Sequence, residues 1–304
     1  MIKESKNSNH LLNDSEIVDF IIKGYLVLDT GIDDDVNHSI ITQLNQLDSN
    51  PGDLVTESIP DLQKVYNNPK VIGVLSSLLG SDYSINTHRH CHRNPPGSRS
   101  QSWHQDGGER ERNPNQISNL LMMYYPQTVD LSNGPTALIP GSHLLFANPE
   151  VTASQGNFTH QVIAEVPAGH VLILHYDIWH AGTANFSENN RYMVKFLFDR
   201  VSESKSPSWN HDPKDLLDIT LKLDNAPITG LQKSLTNKVV KLRREMWENV
   251  SGSKNIINTR IGGNHTTIFF HNMVITINGV KENHARFTIF PRPIDNFTEN
   301  FTGS

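Results

Sequence analysis

The sequence has a single cysteine, Cys91, among its 304 residues. One thiol cannot form an internal disulfide, and it argues against a zinc site built from cysteines. The chain also lacks any run of about 18 apolar residues, which excludes a helix long enough to span a membrane. Its polar first 16 residues lack the apolar stretch of a secretory signal peptide. These absences predict a reduced, cytoplasmic protein.

Positive charge is scarce as well. The chain carries 26 Lys and Arg against 32 Asp and Glu, a formal net charge of −6. This balance argues against nucleic acid or an anionic membrane as a partner. Hydrophobic residues make up 36% and charged residues 19%, which is typical of a globular protein. The composition leaves the substrate and the oligomeric state open.

Histidine, in contrast, is abundant. The chain has 15 histidines, and four of them, His88, His90, His92 and His104, are close together in the sequence. Histidine is the commonest metal ligand and the usual acid–base residue near neutral pH. We interpret most of the fifteen as polar surface residues, but the clustering makes this stretch the first candidate for a functional site.

Hydrophobic periodicity divides the chain into three regions. Helices are predicted over 11–23, 34–47 and 68–80, with a short strand over 25–28. From residue 83 to about 200, short alternating or apolar segments are separated by Gly, Pro and Asn, which is typical of an antiparallel sandwich or barrel. These strands are predicted over 84–92, 118–125, 136–139, 162–166, 171–180 and 191–198. A helix over 229–249 and strands over 267–270 and 273–277 follow, with Asn278-Gly279 as a candidate hairpin turn.

This order of segments predicts a mainly β fold with flanking helices. We expect one domain over 1–304, with an N-terminal helical layer over 1–82 and a β core containing a metal site over 83–200. The remaining α+β region, 201–304, would complete or cover that core.

His104 and Asp106 form the first candidate for a metal site. Residues i and i+2 of a strand point to the same side, so this pair would aim an imidazole and a carboxylate at one point. The motif is weak by itself, because His175-Tyr176-Asp177 repeats it.

His180 ends the predicted strand 171–180. Its parity matches that of Leu172 and Leu174, which places it on the core face at the mouth of the barrel, whereas His175 and Asp177 fall on the opposite face and are interpreted as solvated. The alternative for His180 is a hydrogen-bonded strand-end histidine without a functional role.

Arg191 follows His180 after a turn-rich segment, and a hairpin would bring it back beside the His180 strand. An arginine buried in a barrel is costly unless an anion meets it, and its planar fork suits a carboxylate. The alternative is an ordinary surface arginine. Two histidines and one carboxylate with open positions are the ligand set of non-haem Fe(II) oxygenases.

Over residues 11–200 the chain resembles the phytanoyl-CoA dioxygenase family of Fe(II)/2-oxoglutarate-dependent oxygenases. The resemblance rests on segments 12–16 and 23–28, 103–107, 133–143, and 180–185 with 191–192. It implies a double-stranded β-helix, the cupin-like jelly roll, as the core of the fold. His143 lies in the third of these segments, and we interpret it as structural.

The resemblance also implies the site. It places the metal ligands at His104, Asp106 and His180, and the 2-oxoglutarate carboxylate at Arg191, with Thr183 as a helper. Fe(II), 2-oxoglutarate and O2 would be needed, with ascorbate as a reductant in vitro, and the products would include succinate and CO2. Hydroxylation of an unactivated C–H bond is the expected reaction. Desaturation, cyclisation, a cupin-like metal enzyme without 2-oxoglutarate and a catalytically silent ligand-binding jelly roll remain alternatives.

The resemblance implies a small-molecule substrate, but the chemistry of that molecule is less well indicated. Five arginines lie around the His104 motif in a chain that is acidic overall: Arg89, Arg93, Arg99, Arg110 and Arg112. They suggest an anionic group on the substrate, with Arg99, Arg110 and Trp103 as candidate contacts. Solvation of the arginines, or pairing with Glu109 and Glu111, is the alternative.

Overall fold

The computed structural model describes residues 10–107, 114–145, 156–230 and 232–253, and the backbone of four strands beyond them. The chain forms two compact units, Met1–Ser253 and Lys254–Ser304. The organisation of 1–304 as a single domain stays a prediction. Among the described residues, no helix is both long and apolar enough to cross a membrane.

Helices come first in the larger unit. Helix α1, Asp14–Lys23, begins at a capping box formed by Asn13 and Glu16 and ends at Gly24, whose φ of 79° suits glycine. The other helices of this layer are α2 (Asp34–Gln46), α3 (Val55–Ser58), α4 (Leu62–Tyr66) and α5 (Pro69–Leu79), with a 3-10 turn at Gly52–Leu54. The helices predicted over 11–23, 34–47 and 68–80 are confirmed, with ends shifted by up to three residues.

Eight strands form two antiparallel sheets. They are β1 (Tyr25–Asp29), β2 (Ser84–Asn94), β3 (Asn119–Tyr124), β4 (Thr136–Leu138), β5 (Val162–Ala164), β6 (His170–His175), β7 (His180–Gly182) and β8 (Arg191–Asp199). One sheet has the order β1-β6-β3-β8-β2 and the other β5-β4-β7. The fold is the predicted jelly roll flanked by helices.

The core lies between the two sheets. Leu121 and Leu174 from the larger sheet pack with Leu138 and Ala164 from the smaller one in a single cluster. Burial of each leucine side chain stabilises the fold by about 1.5–3 kcal/mol. This packing fixes the distance between the sheets and therefore between side chains that enter the interior from opposite sides.

The single strand predicted over 171–180 is wrong. The chain leaves the larger sheet after His175, turns at Tyr176-Asp177, and enters the smaller sheet at His180. The solvated interpretation of His175 is also wrong, because the ring is 3% exposed and its Nε2 lies 2.9 Å from the Gln116 carbonyl. Because of this turn, the alternation of side chains along β6 does not continue from His175 to His180.

The structural interpretation of His143 agrees with its surroundings. The ring is 1% exposed, and its Nε2 lies 3.1 Å from the Ile21 carbonyl oxygen at the end of α1.

Two more helices follow in the described part of the larger unit, α6 (Leu216–Asn225) and α7 (Thr236–Ser251). Helix α7 overlaps the helix predicted over 229–249 but starts seven residues later and ends two residues later. The smaller unit contains β9 (Asn258–Gly262), β10 (His265–Phe270), β11 (Met273–Asn278) and β12 (Arg286–Pro291) in an antiparallel sheet of order β12-β11-β10-β9. Gly279 of the predicted hairpin turn lies outside the described residues.

Candidate active site

Three predicted metal ligands from distant parts of the chain come together in the larger unit. His104, Asp106 and His180 each present one ligand atom, and these atoms all lie within 4.8 Å of one another. The Asp106 carboxylate is 4.0 Å from His104 Nε2 and 3.7 Å from His180 Nε2. The arrangement has the composition of a 2-His-1-carboxylate centre.

A β-bridge holds the two imidazoles side by side. The backbone N–H of each histidine donates to the carbonyl of the other, with N···O distances of 3.1 and 3.0 Å. Nδ1 of His104 lies 2.9 Å from the Ser102 carbonyl, and Nδ1 of His180 lies 3.1 Å from the Ile178 carbonyl. Because a carbonyl only accepts, each Nδ1 carries the proton, and each Nε2 keeps the lone pair that a metal requires.

A lysine that the sequence analysis did not identify belongs to the same cluster. Lys195 is 6% exposed, and its Nζ donates to Asp106 Oδ2 at 2.7 Å. Burial opposes ionisation of Asp106, but the interactions of the carboxylate with His180 and with Lys195, including the lysine hydrogen bond, outweigh it. The pKa of Asp106 therefore lies below its ordinary value, and the group is a carboxylate.

The sequence does contain a signal for Lys195. It lies four positions after Arg191 in a strand, so the two side chains share a face with Met193 between them. A cation in an otherwise apolar buried strand requires a partner, and this parity directs it to the interior that Arg191 also enters.

Burial keeps His180 and His92 neutral. It lowers the pKa of His180 to about 4, although Asp106 acts in the opposite direction. It lowers the pKa of His92 to about 3, with His90 and Lys195 adding to the effect. At neutral pH both imidazoles are therefore uncharged, and His180 is in the form that binds a metal.

Arg191 lines the same pocket as His104 and His180. The residue is 2% exposed, and within the described part of the chain its Nε and Nη1 have no hydrogen-bond partner. Burial lowers the pKa of the guanidinium. A buried cation with unpaired donors is costly, so the side chain is poised for an anion that brings two oxygens, such as a carboxylate.

The path by which Arg191 reaches His180 differs from the prediction. The expected hairpin with the His180 strand is wrong, because β8 pairs with β2 and β3 in the larger sheet. Arg191 instead approaches from the opposite sheet, across the interior. Gly182 lies beside the guanidinium: a Cβ there would make an ordinary contact with Arg191 Nη2 at 3.6 Å but would lie too close to Gln101 Oε1, at 2.9 Å.

Two threonines are candidates for a hydroxyl group that would bind the same anion as Arg191. Thr183 donates its hydroxyl to the Pro135 carbonyl at 2.8 Å. Thr136, which is 2% exposed, lines the pocket together with Arg191, and its Oγ1 lies 2.8 Å from the Tyr125 hydroxyl. The role given to Thr183 by the resemblance stays a prediction, and Thr136 is a second candidate with a hydroxyl already at the pocket wall.

The candidate substrate contacts are dispersed. Trp103 is buried, donates its Nε1 to the Gly156 carbonyl at 2.8 Å and packs edge-on against Phe158. Arg99 is exposed. Arg110 lies outside the described residues. Their role in substrate binding stays a prediction.

The donor set fits Fe(II). Two imidazoles and one carboxylate would hold the ion and leave other positions open. In the same pocket, the guanidinium nitrogens Nε and Nη1 of Arg191, which have no partner among the described residues, suit the far carboxylate of a dicarboxylic acid. Fold and site together define a class, the jelly-roll proteins with a 2-His-1-carboxylate centre. The family model "Phytanoyl-CoA dioxygenase (PhyH)" matches residues 23–193, more than half of the chain. The chain therefore belongs to this family of Fe(II)/2-oxoglutarate-dependent oxygenases.

Crystal structures of other proteins share the fold. HygX from Streptomyces hygroscopicus, with nickel and 2-oxoglutarate bound, is 17% identical with a TM-score of 0.53, and the match covers 62% of this chain and 87% of that chain. EctD from S. alaskensis, with 2-oxoglutarate and 5-hydroxyectoine, is 17% identical with a TM-score of 0.51, over 69% of this chain and 82% of that chain. No curated protein sequence matches this chain.

Proposed function

We propose that this protein is an Fe(II)- and 2-oxoglutarate-dependent dioxygenase that hydroxylates an unactivated C–H bond of a small, anionic metabolite. Succinate and CO2 are the co-products. The observation that carries the proposal is one pocket lined by His104, His180 and Arg191. The Asp106 carboxylate lies within 4.0 Å of both histidine Nε2 atoms, and Nε and Nη1 of Arg191 have no hydrogen-bond partner among the described residues. A cytoplasmic location, as the composition predicts, is part of the same proposal.

Each side chain has a distinct task in this scheme. His104, Asp106 and His180 hold Fe(II) on one side, and Arg191 binds the far carboxylate of 2-oxoglutarate by its fork. Lys195 fixes the orientation of the Asp106 carboxylate through its hydrogen bond. Bound Fe(II), with O2 and 2-oxoglutarate, supplies the oxidising chemistry that side chains lack.

The charges around the pocket support an anionic substrate. Asp106 is negative, Lys195 and Arg191 are positive, and the neighbouring His180 and His92 are neutral at pH 7. The two positive charges of Fe(II) balance the two negative charges of 2-oxoglutarate. A loaded pocket therefore keeps one excess positive charge, which a carboxylate, phosphate or phosphonate on the substrate would neutralise.

Turnover of 2-oxoglutarate tests the proposal. We expect the purified protein to convert 2-oxoglutarate to succinate when Fe(II), ascorbate and O2 are present, and a panel of anionic metabolites to identify compounds that accelerate the conversion. Product analysis of such a compound distinguishes hydroxylation from desaturation or cyclisation, which use the same site.

Asp106→Ala and His180→Ala serve as matched inactive variants. Succinate formation at the same rate in these variants and in the unchanged protein would contradict the proposal. Binding of a metabolite without any succinate formation would instead favour the silent ligand-binding jelly roll.

A further inference from the structure

A second group of metal-binding side chains lies outside the site described above. Asp53, His88 and His90 each offer one ligand atom, and these atoms also lie within 4.8 Å of one another. His88 Nδ1 is 3.6 Å from Asp53 Oδ1, and the two imidazole centroids are 5.1 Å apart. This cluster is therefore assembled as closely as the candidate iron ligands.

The backbone aims these side chains at each other. Asp53 lies in the 3-10 turn beside β2, whereas His88 and His90 lie on β2 itself. The pairing of β2 with β8 shifts register between Ile85 and Arg89, and such irregularities re-aim side chains. The Asn86 side chain accepts the backbone N–H of His88 at 2.8 Å, which stabilises the shifted segment.

Arg89 fixes the carboxylate of Asp53 without neutralising it. Its backbone N–H donates to Asp53 Oδ1 at 3.2 Å, and its Nε donates to the Asp53 carbonyl at 3.2 Å. Its Nη2 pairs with Glu57 at 3.0 Å. The guanidinium charge is thereby matched by Glu57, and the Asp53 carboxylate keeps its negative charge for another cation.

We propose that Asp53, His88 and His90 form a second metal site, for a divalent transition-metal ion of the Zn(II) type. Imidazole nitrogen and carboxylate oxygen are ligands of Zn(II), Ni(II) and Cu(II), and three protein ligands leave a position for water. Metal–ligand bonds of about 2.0–2.1 Å place tetrahedral ligand atoms about 3.3 Å apart. The His88–Asp53 separation is near this value already, and both side chains are half exposed, which leaves them room to close on an ion.

The second site is distinct from the candidate iron site but adjacent to its pocket. The ring of His90 lies 4.4 Å, centroid to centroid, from that of His92, and His92 lines the pocket of Arg191 and His180. The proposal does not depend on the oxygenase activity, because it concerns ligands that the iron scheme leaves unused.

Metal stoichiometry tests this site directly. Zn(II) added to the full-length, metal-stripped protein, followed by isothermal titration calorimetry and by dialysis with elemental analysis, should give two equivalents bound. His88→Ala and Asp53→Asn should each leave one equivalent. Asp106→Ala should also leave one, and His88→Ala combined with Asp106→Ala should leave none.

A lost ligand should weaken the second site by about 100-fold or more, because loss of a mere supporting hydrogen bond already costs about 10–100-fold. His38→Ala, a change of an exposed histidine on α2, is the matched control and should keep both equivalents. The EPR spectrum of Cu(II) in a variant that combines His104→Ala with His180→Ala should report two imidazole nitrogens, which only His88 and His90 of the two clusters can then supply. One equivalent in the unchanged protein, or two in both His88→Ala and Asp53→Asn, would overturn the proposal.

Discussion

The substitution Arg191→Gln distinguishes two effects of the buried guanidinium: it destabilises the free protein, and it binds 2-oxoglutarate. In the structure the guanidinium is buried, and two of its nitrogens have no hydrogen-bond partner among the described residues. Glutamine keeps much of the length and can donate hydrogen bonds, but it carries no charge. The substitution therefore removes an unpaired buried charge from the free protein and the anion partner from the loaded one.

The two effects have opposite signs. Loss of one partner of a buried, hydrogen-bonded ion pair costs about 2–5 kcal/mol of binding free energy, which weakens 2-oxoglutarate binding by about 30- to 5,000-fold. The free protein, in contrast, loses an uncompensated cation, so its melting temperature should stay the same or rise. A residue with a purely structural role would instead lower the melting temperature.

Calorimetric titration of 2-oxoglutarate into the Ni(II)-loaded protein measures the first effect, and thermal melts of the metal-free protein measure the second. Arg93→Gln is the matched control, because Arg93 is an exposed cation on the adjacent strand β2. An Arg191→Gln protein that is folded and binds 2-oxoglutarate within about threefold of the unchanged protein would refute the assignment of Arg191.

Three further predictions concern single side chains. Lys195→Met should weaken Mn(II) binding by about 10–100-fold, because Asp106 loses the hydrogen bond that orients it. A titration that showed tighter Mn(II) binding would contradict this and would mean that the ammonium group competes with the metal. Thr136→Val should raise the KM for 2-oxoglutarate about tenfold or more in the succinate assay, whereas Thr183→Val should leave it unchanged; the reverse result would favour Thr183. Burial raises the pKa of the Cys91 thiol to about 12. At pH 8 its alkylation, followed by mass spectrometry, should therefore be about a thousandfold slower in the folded than in the unfolded protein. Equal alkylation rates would contradict the buried environment.

Helix boundaries could be predicted because their signals are local. Gly24, where α1 was predicted to end, supplies the left-handed residue that ends it. The start of α1 was predicted three residues too early, although the capping box of Asn13 and Glu16 that begins it is also a local signal. The start of α5 is equally local, since Asn68 caps it and Pro69 occupies its first position. Each of these features depends on neighbours in the sequence.

The break between β6 and β7 could not be predicted in that way. Residues 171–174 are a continuous apolar run, and Tyr176 and Ile178 continue the parity of Leu172 and Leu174, so the pattern alone continues the strand. Tertiary contacts end β6. The buried His175 bonds to the distant Gln116 carbonyl, and His180, in the smaller sheet, forms a β-bridge with His104. Those partners are invisible in the local pattern.

The clustering of histidines along the chain does not determine which of them can bind the same metal ion. The register of the strands determines it. β2 pairs with β8 so that His90 lies opposite Lys195, which binds Asp106 of the candidate iron site. A slip of one residue in β2 would turn both His88 and His90 away from Asp53, and a slip of one residue in β8 would turn the lysine away from the face that meets Asp106. The proposed second metal site and the orientation of the iron ligand therefore depend on the same register. A change that shifts this pairing should disturb both metal affinities together, whereas substitution of His88 should disturb only one.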